Sequence, residues 1–194
     1  MNRAVFLDRD GTLIEEVGYL DRIDRLRLFP ETIDALRMLQ QAGLRLIIAT
    51  NQSGIAQGLF TEQFVHDLHG HLTSLLAQGG VRLDGIYMCP HHPEAKLSAY
   101  RAVCECRKPS SGLVKQAARD FDLDLTQSYM VGDRWRDLLS GQQAGTAGVL
   151  VRTGYGATES KCPPAGAAAD VVVDNMAAAA SWILMRERER ERTR

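Results

Sequence analysis

Asp8 and Asp10 stand two residues apart, after the apolar run Val5-Phe6-Leu7 and before Gly11-Thr12. Strand side chains alternate with a period of two, so both carboxylates project to one side of an extended chain. Burying a carboxylate is costly unless a cation or hydrogen bonds compensate it. In open α/β sheets the carboxyl ends of strands are also where ligands bind. The pair therefore calls for a shared cation, or a reaction in which the two groups take different roles. Read alone, Asp8 to Thr12 is better described as an acidic turn. Three further segments argue for chemistry: Thr50-Asn51 after a second apolar run, Lys108 ahead of a helix, and Gly132-Asp133 with Asp137 after another strand. Asp137 alone could simply favour a helix dipole.

A second group gathers Cys89, His91 and His92 with Cys104 and Cys106. In a reducing compartment, clustered Cys and His point to metal rather than disulfides. Three thiolates and one imidazole make a closed tetrahedral zinc site, with no position left for water, so the Zn²⁺ would be structural. Spacing alone does not choose between His91 and His92. The ion would pin a long loop, Pro90 to Pro109, that has no periodicity of its own, and would turn Arg107 and Lys108 toward the carboxylates. His66, His69 and His71 read as solvated positions beside Leu68 and Leu72 and receive no role. Cys162, in a Pro/Gly-rich loop, reads as a free thiol.

The elements that must hold these groups alternate between strand and helix. Glu31 to Gln41 has helical periodicity, follows Pro30 and stops at Gly43. Leu44 to Thr50 is a buried strand. Thr61 caps a helix to about Ala77, and Leu83 to Cys89 is a third strand. A helix from Gly112 to Phe121 leads to a strand at Ser128 to Val131, then a short helix, a strand at Val149 to Val151 and a small one at Val171 to Val173. Such alternation implies a parallel sheet with right-handed crossovers and helices on both faces. With strand one central, strands two and three on one side and strand four on the other, Asp8, Thr50 and Asp133 converge at the switch point. Residues 1–185 read as one domain, and 186–194, alternating Arg and Glu, as a tail fraying into solvent.

With 23 basic and 24 acidic residues among 194, the chain has no electrostatic bias toward nucleic acid or membranes. No apolar run is long enough for a bilayer, and Met1-Asn2-Arg3 leads straight into a strand, so the expectation is a cytoplasmic enzyme of small substrates, acting as a monomer.

Together, DxDGT at Asp8 to Thr12, Thr50-Asn51, Lys108 and Gly132-Asp133 with Asp137 resemble the haloacid dehalogenase superfamily of phosphohydrolases, across nearly the whole chain. The resemblance implies a Rossmann-like fold in which Asp8 is the nucleophile that forms an aspartyl-phosphate. Asp10 would protonate the leaving oxygen and then deprotonate water. Asp8, Asp133 and the Asp10 carbonyl would hold Mg²⁺, and Thr50 and Lys108 would meet the phosphoryl oxygens. Within the superfamily, the CPHHP…CxCRKP loop with DRDGT, VGYL and TNQSGIAxG resembles the heptose bisphosphate phosphatases, which remove the 7-phosphate and serve nucleotide-activated heptose pathways. Histidinol-phosphate phosphatases carry a similar but shorter zinc loop, and the insert from Glu94 to Val103 favours the heptose group. That resemblance implies a zinc site of Cys89, His91, Cys104 and Cys106. It also implies sugar contacts at Glu16, Val17, Gly18 and Tyr19, further substrate contacts at Asn51, Gln52, Ser53 and Arg134, the distal phosphate at Arg107, and no large cap. A binding module on an inactive scaffold would lack Asp8 or Asp10, and both are present. A nucleic-acid 3′-phosphatase would need a basic tract, which is missing outside the Arg/Glu tail.

Overall fold

The computed structural model describes residues 2–192. Its centre is a six-stranded parallel sheet of β1 (Ala4–Leu7), β2 (Arg45–Asn51), β3 (Gly85–Cys89), β4 (Tyr129–Gly132), β5 (Ala147–Val151) and β6 (Val171–Val173), in the order β3-β2-β1-β4-β5-β6. The chain winds one way from β1 to β3 and the other way from β4 to β6. The order therefore reverses between β1 and β4, where crossovers diverge and leave a crevice. Alternation decides which residues meet which layer. Val5, Leu7, Leu46, Ile48, Tyr129, Val131, Val149 and Val151 pack on one face, under α1 (Thr32–Gln41), α3 (Glu62–Gln78) and α7 (Met176–Arg192). Ala4, Phe6, Ile47 and Met130 pack on the other, under α4 (Gly112–Phe121), while α5 (Trp135–Gln142) covers β4 and β5 beside it. Two single turns, α2 (Ser53–Ala56) and α6 (Gly156–Glu159), complete the α-helices of the described residues. Among these no large insertion separates the elements, and no helix is long and apolar enough to cross a membrane.

The expected elements are present, with shifts of one or two residues at most ends. Thr61 caps α3 as expected, its hydroxyl accepting the Phe64 N–H at 3.1 Å. The third strand starts at Gly85 instead of Leu83, because the Asp84 carboxylate takes Arg45 and the Leu46 N–H and ends the approach as a turn.

The charged tail departs from expectation. Arg186 to Arg192 continues α7, and Glu187 is buried at 5% exposure. Its carboxylate accepts the Tyr129 hydroxyl at 2.7 Å and Arg190 at 2.9 Å and pairs with Arg3. Alternation of Arg and Glu looks solvated when read as a string, but the helical turn brings Glu187 onto the face that already carries Ala180 and Ile183. The remainder of that tail, 193–194, lies outside the described residues.

Candidate active site

The carboxyl ends of β1 and β4 bring three aspartates together. Asp8, Asp133 and Asp137 are all buried, and one carboxylate oxygen from each lies within 4.8 Å of the other two. Gly11 (φ +76°) and Gly154 (φ +54°) permit this packing, since a Cβ on either would sit 2.2 Å from Asp133 Oδ2. That oxygen accepts the Tyr155 N–H at 2.8 Å, whereas Oδ1 of Asp133 is buried with no hydrogen-bond partner. Burial first, then Asp8 and Asp137, push the Asp133 carboxyl up to about 8.

A buried ammonium answers these charges at contact distance. Lys108 Nζ lies 2.8 Å from Asp8 Oδ1 and 2.8 Å from Asp137 Oδ1, and donates to the Ala49 carbonyl at 2.7 Å. Burial alone would lower this ammonium, but Asp137 and Asp8 outweigh it and hold Lys108 above its ordinary value. Asp137 also accepts the Arg134 N–H at 3.0 Å through Oδ2, so it caps α5 and anchors Lys108 at once. One ammonium against three carboxylates leaves excess negative charge and an orphaned oxygen. That donor set fits a hard divalent ion such as Mg²⁺.

The Asp10 carboxylate faces different partners. Arg9, 2% exposed, donates to both its oxygens, with Nη2 at 2.9 Å from each, and Gln52 Nε2 donates to Oδ2 at 3.1 Å. Gln52 Nε2 also reaches the buried Thr50 hydroxyl at 2.9 Å. Asn51 clamps the Lys108 peptide from both sides, donating to its carbonyl and accepting its N–H, each at 3.1 Å.

Above these groups opens a pocket of about 270 Å³ walled by Asp8, Asp10, Glu16, Gly18, Tyr19, Asn51, Gln52, Ser53 and Arg134 among others. Glu16 accepts the Gly18 N–H at 2.6 Å, and burial raises its carboxyl above the ordinary value. Tyr19 stands half exposed, edge-on to Phe60. The Arg134 guanidinium stacks on Tyr155, 3.5 Å from the ring centroid. Two of the expected residues stand outside the pocket wall. Val17 packs against the apolar core that includes Val5 and Leu7. Arg107 is half-buried outside the pocket wall, donating to the His91 carbonyl at 3.0 Å, with Arg136 and Tyr19 in electrostatic reach.

At the second cluster, Cys89, His91, Cys104 and Cys106 offer one atom each within 4.8 Å of one another. Sulfur separations run from 3.0 to 3.5 Å. Burial, with the neighbouring thiols, pushes the Cys89 thiol well up, so three thiolates here require a cation. The choice between the histidines follows from geometry. His91 turns Nδ1 to Cys106 at 3.4 Å, while His92 accepts the Glu94 N–H at 3.0 Å.

A family model of HAD-hydrolase-like proteins matches residues 105–179. A Yersinia pestis protein named D-glycero-beta-D-manno-heptose-1,7-bisphosphate 7-phosphatase is 44% identical over 176 residues, covering 90% of this chain and 91% of its own. The Haemophilus influenzae protein of the same name is 49% identical over 155 residues, covering 79% and 84%. The chain belongs to the heptose bisphosphate phosphatase family. A crystal structure of D,D-heptose 1,7-bisphosphate phosphatase from B. bronchiseptica, complexed with magnesium and phosphate, matches the fold with a TM-score of 0.83. It is 34% identical, with 96% of this chain and 99% of that one covered.

For this member of the heptose bisphosphate phosphatase family, sequence reasoning passed over Arg9, His69, Phe60, Arg136 and Tyr155. All but His69 line the pocket. Arg9 had a visible signal in its place between the two aspartates. His69 corrects an expectation. His66 and His71 are exposed, but His69 is buried at 6% exposure, with Nε2 3.0 Å from Arg9 Nη1. Its position four residues after Val65 and three before Leu72 puts it on the inward face of α3.

Proposed function

We propose that the chain is a Mg²⁺-dependent phosphatase that hydrolyses the 7-phosphate of D-glycero-β-D-manno-heptose 1,7-bisphosphate through an aspartyl-phosphate. The observation that carries the reading is the buried cluster of Asp8, Asp133, Asp137 and Lys108, which meets an open polar pocket through Asp8. The names of relatives at 44–49% identity supply the substrate and its anomer. Asp8 attacks phosphorus, and the bond from phosphorus to the sugar oxygen breaks. Asp10 gives its proton to that oxygen, then takes one from the water that attacks the aspartyl-phosphate and returns Asp8 and inorganic phosphate. Bound Mg²⁺, held by Asp8, Asp133 and the Asp10 carbonyl, supplies charge neutralisation for the phosphate oxygens. Lys108 and Thr50 stabilise the transferring group, and Asn51 keeps Lys108 in place. Asp137 anchors Lys108 and takes no part in bond making. Glu16, Gly18, Tyr19, Asn51, Gln52, Ser53 and Arg134 hold the sugar, and Arg107 with Arg134 supplies positive charge for the distal phosphate.

The second cluster is a structural zinc site, its four positions taken by Cys89, His91, Cys104 and Cys106. A thiolate-rich site of this kind suits a reducing cytoplasm. The pocket is built from one chain, so a monomer suffices. The test is phosphate release, with Mg²⁺, from the α- and β-anomers of heptose 1,7-bisphosphate, from histidinol phosphate and from a 3′-phosphorylated oligonucleotide. A kcat/KM for the β-anomer well above the other three is expected. Preference for histidinol phosphate or the oligonucleotide overturns the substrate, and release from none overturns the enzyme.

A further inference from the structure

We propose that His69 is a positioning residue: it fixes Arg9, and through Arg9 the carboxylate of Asp10, for proton transfer at the reacting oxygens. The proposal rests on the phosphatase reading above. An arginine guanidinium is donor-only, so the 3.0 Å contact between Arg9 Nη1 and His69 Nε2 requires Nε2 to accept and Nδ1 to carry the ring proton. The other bonds of Arg9 among the described residues go to the active site. Nε lies 3.2 and 3.1 Å from the two Asp10 oxygens, Nη2 lies 2.9 Å from both, and Nη2 reaches Gln52 Oε1 at 3.0 Å. Gln52 in turn touches Asp10 and Thr50.

This is a network in which every member other than His69 belongs to the carboxyl end of β2 or to the loops that follow β1 and β2. His69 comes from α3, sixty residues away in sequence, and ties the network to a helix packed on the core through Val65, Leu68 and Leu72. A buried guanidinium settles where its N–H groups find acceptors, because an unpaired one costs the full desolvation of that donor. Without the His69 acceptor, Arg9 re-aims, and the fork that holds both Asp10 oxygens turns with it. Burial, then the Arg9 cation, push His69 down to about 3, so the ring stays neutral across the working pH range and the contact acts as a fixed strut.

A merely structural histidine and a positioning one differ in their leaving-group dependence. Expulsion of a sugar alkoxide needs the Asp10 proton, whereas p-nitrophenolate leaves without it, and kcat/KM reports on this first bond cleavage. In His69→Leu, kcat/KM for the heptose bisphosphate is expected to fall by about 10- to 100-fold, a partial loss of the roughly 100- to 10,000-fold that general acid catalysis supplies. The fall for p-nitrophenyl phosphate should be several-fold smaller. His69→Gln, which places an oxygen near the position of Nε2, should restore most of the loss, and His69→Asn, whose shorter amide mimics Nδ1, should not. The Asn variant also serves if the Leu variant fails to fold. Equal losses on both substrates, or no difference between the Gln and Asn variants, would overturn the role of His69 while leaving the phosphatase reading intact. Wild-type protein that cleaves neither substrate would overturn both.

Discussion

Replacing Lys108 with methionine keeps the length of the side chain and removes the one ammonium among three buried carboxylates. In the wild type it sits 2.8 Å from Asp8 and from Asp137 and 2.7 Å from the Ala49 carbonyl, at 2% exposure. Removing one partner of a buried ion pair costs about 3–5 kcal/mol, because the charge left behind is uncompensated. Here two such charges remain, beside Asp133, all within 4.8 Å. Proton uptake offsets part of the loss, since a carboxylate without a cation becomes neutral instead. In EDTA the destabilisation should therefore be greater at about pH 8 than at about pH 5, where the carboxylates are more readily protonated. Urea unfolding followed by tryptophan fluorescence in EDTA measures it directly. Mg²⁺ should then stabilise the variant more than the wild type, since the ion meets the same oxygens with no ammonium opposing it. A Lys108→Met protein as stable as wild type at the higher pH would refute the electrostatic account of the site.

Asp8→Asn should abolish turnover without unfolding, and in EDTA the variant should be at least as stable as wild type, because it relieves the repulsion acting on Asp133 and Asp137; a cooperative melt with residual turnover would contradict the nucleophile assignment. The folded pKa of Asp133, about 8, lies above the ordinary carboxylate value, so the native state keeps a proton that the unfolded chain has already released. Its contribution to metal-free stability is thus fully present below about pH 4 and is lost as the pH rises toward about 8; Mg²⁺ binding near neutrality should release that proton, which calorimetry in buffers of different ionisation enthalpy detects. Cys104→Ser should lower bound zinc per chain and speed proteolysis between Pro90 and Pro109, and full zinc retention would sink the ligand set.

The sheet was legible because its inner strands β1, β2, β4 and β5 are buried on both faces and read as continuous apolar runs. Asp8, Thr50 and Asp133 are strand-end residues, and once β1 is central their convergence follows from strand order alone. The burial of Arg9, His69 and Glu187 was not legible, for a shared reason. Each is a charged or polar residue buried because a distant segment supplies its partner: α3 for Arg9, β1 for His69, and β4 with Arg3 for Glu187. Periodicity within one segment marks which face turns inward, but not that a polar residue there will find a counterpart. Val17 shows the converse. A motif locates the backbone, while the side chain turns to what lies nearest, here the apolar core.

The two clusters that could hold a metal share no residue, yet the chain couples them over two residues. Cys106 belongs to the sulfur cluster and Lys108 to the carboxylate cluster. Between them the backbone has little freedom: Asn51 holds both polar groups of the Lys108 peptide, and the Gly112 N–H at the start of α4 donates to the Glu105 carbonyl at 2.9 Å. Gly112 also packs so closely that a Cβ there would lie 2.3 Å from that same carbonyl oxygen. A loop with no regular structure at its centre would by itself place Lys108 loosely, and an ammonium displaced by 1 Å among these carboxylates loses much of its effect. Fixing Cys104 and Cys106 to Cys89 at the end of β3 transfers the rigidity of the sheet to Lys108. Zinc bound by Cys89, His91, Cys104 and Cys106 would therefore act on the proposed phosphoryl transfer through the position of one lysine.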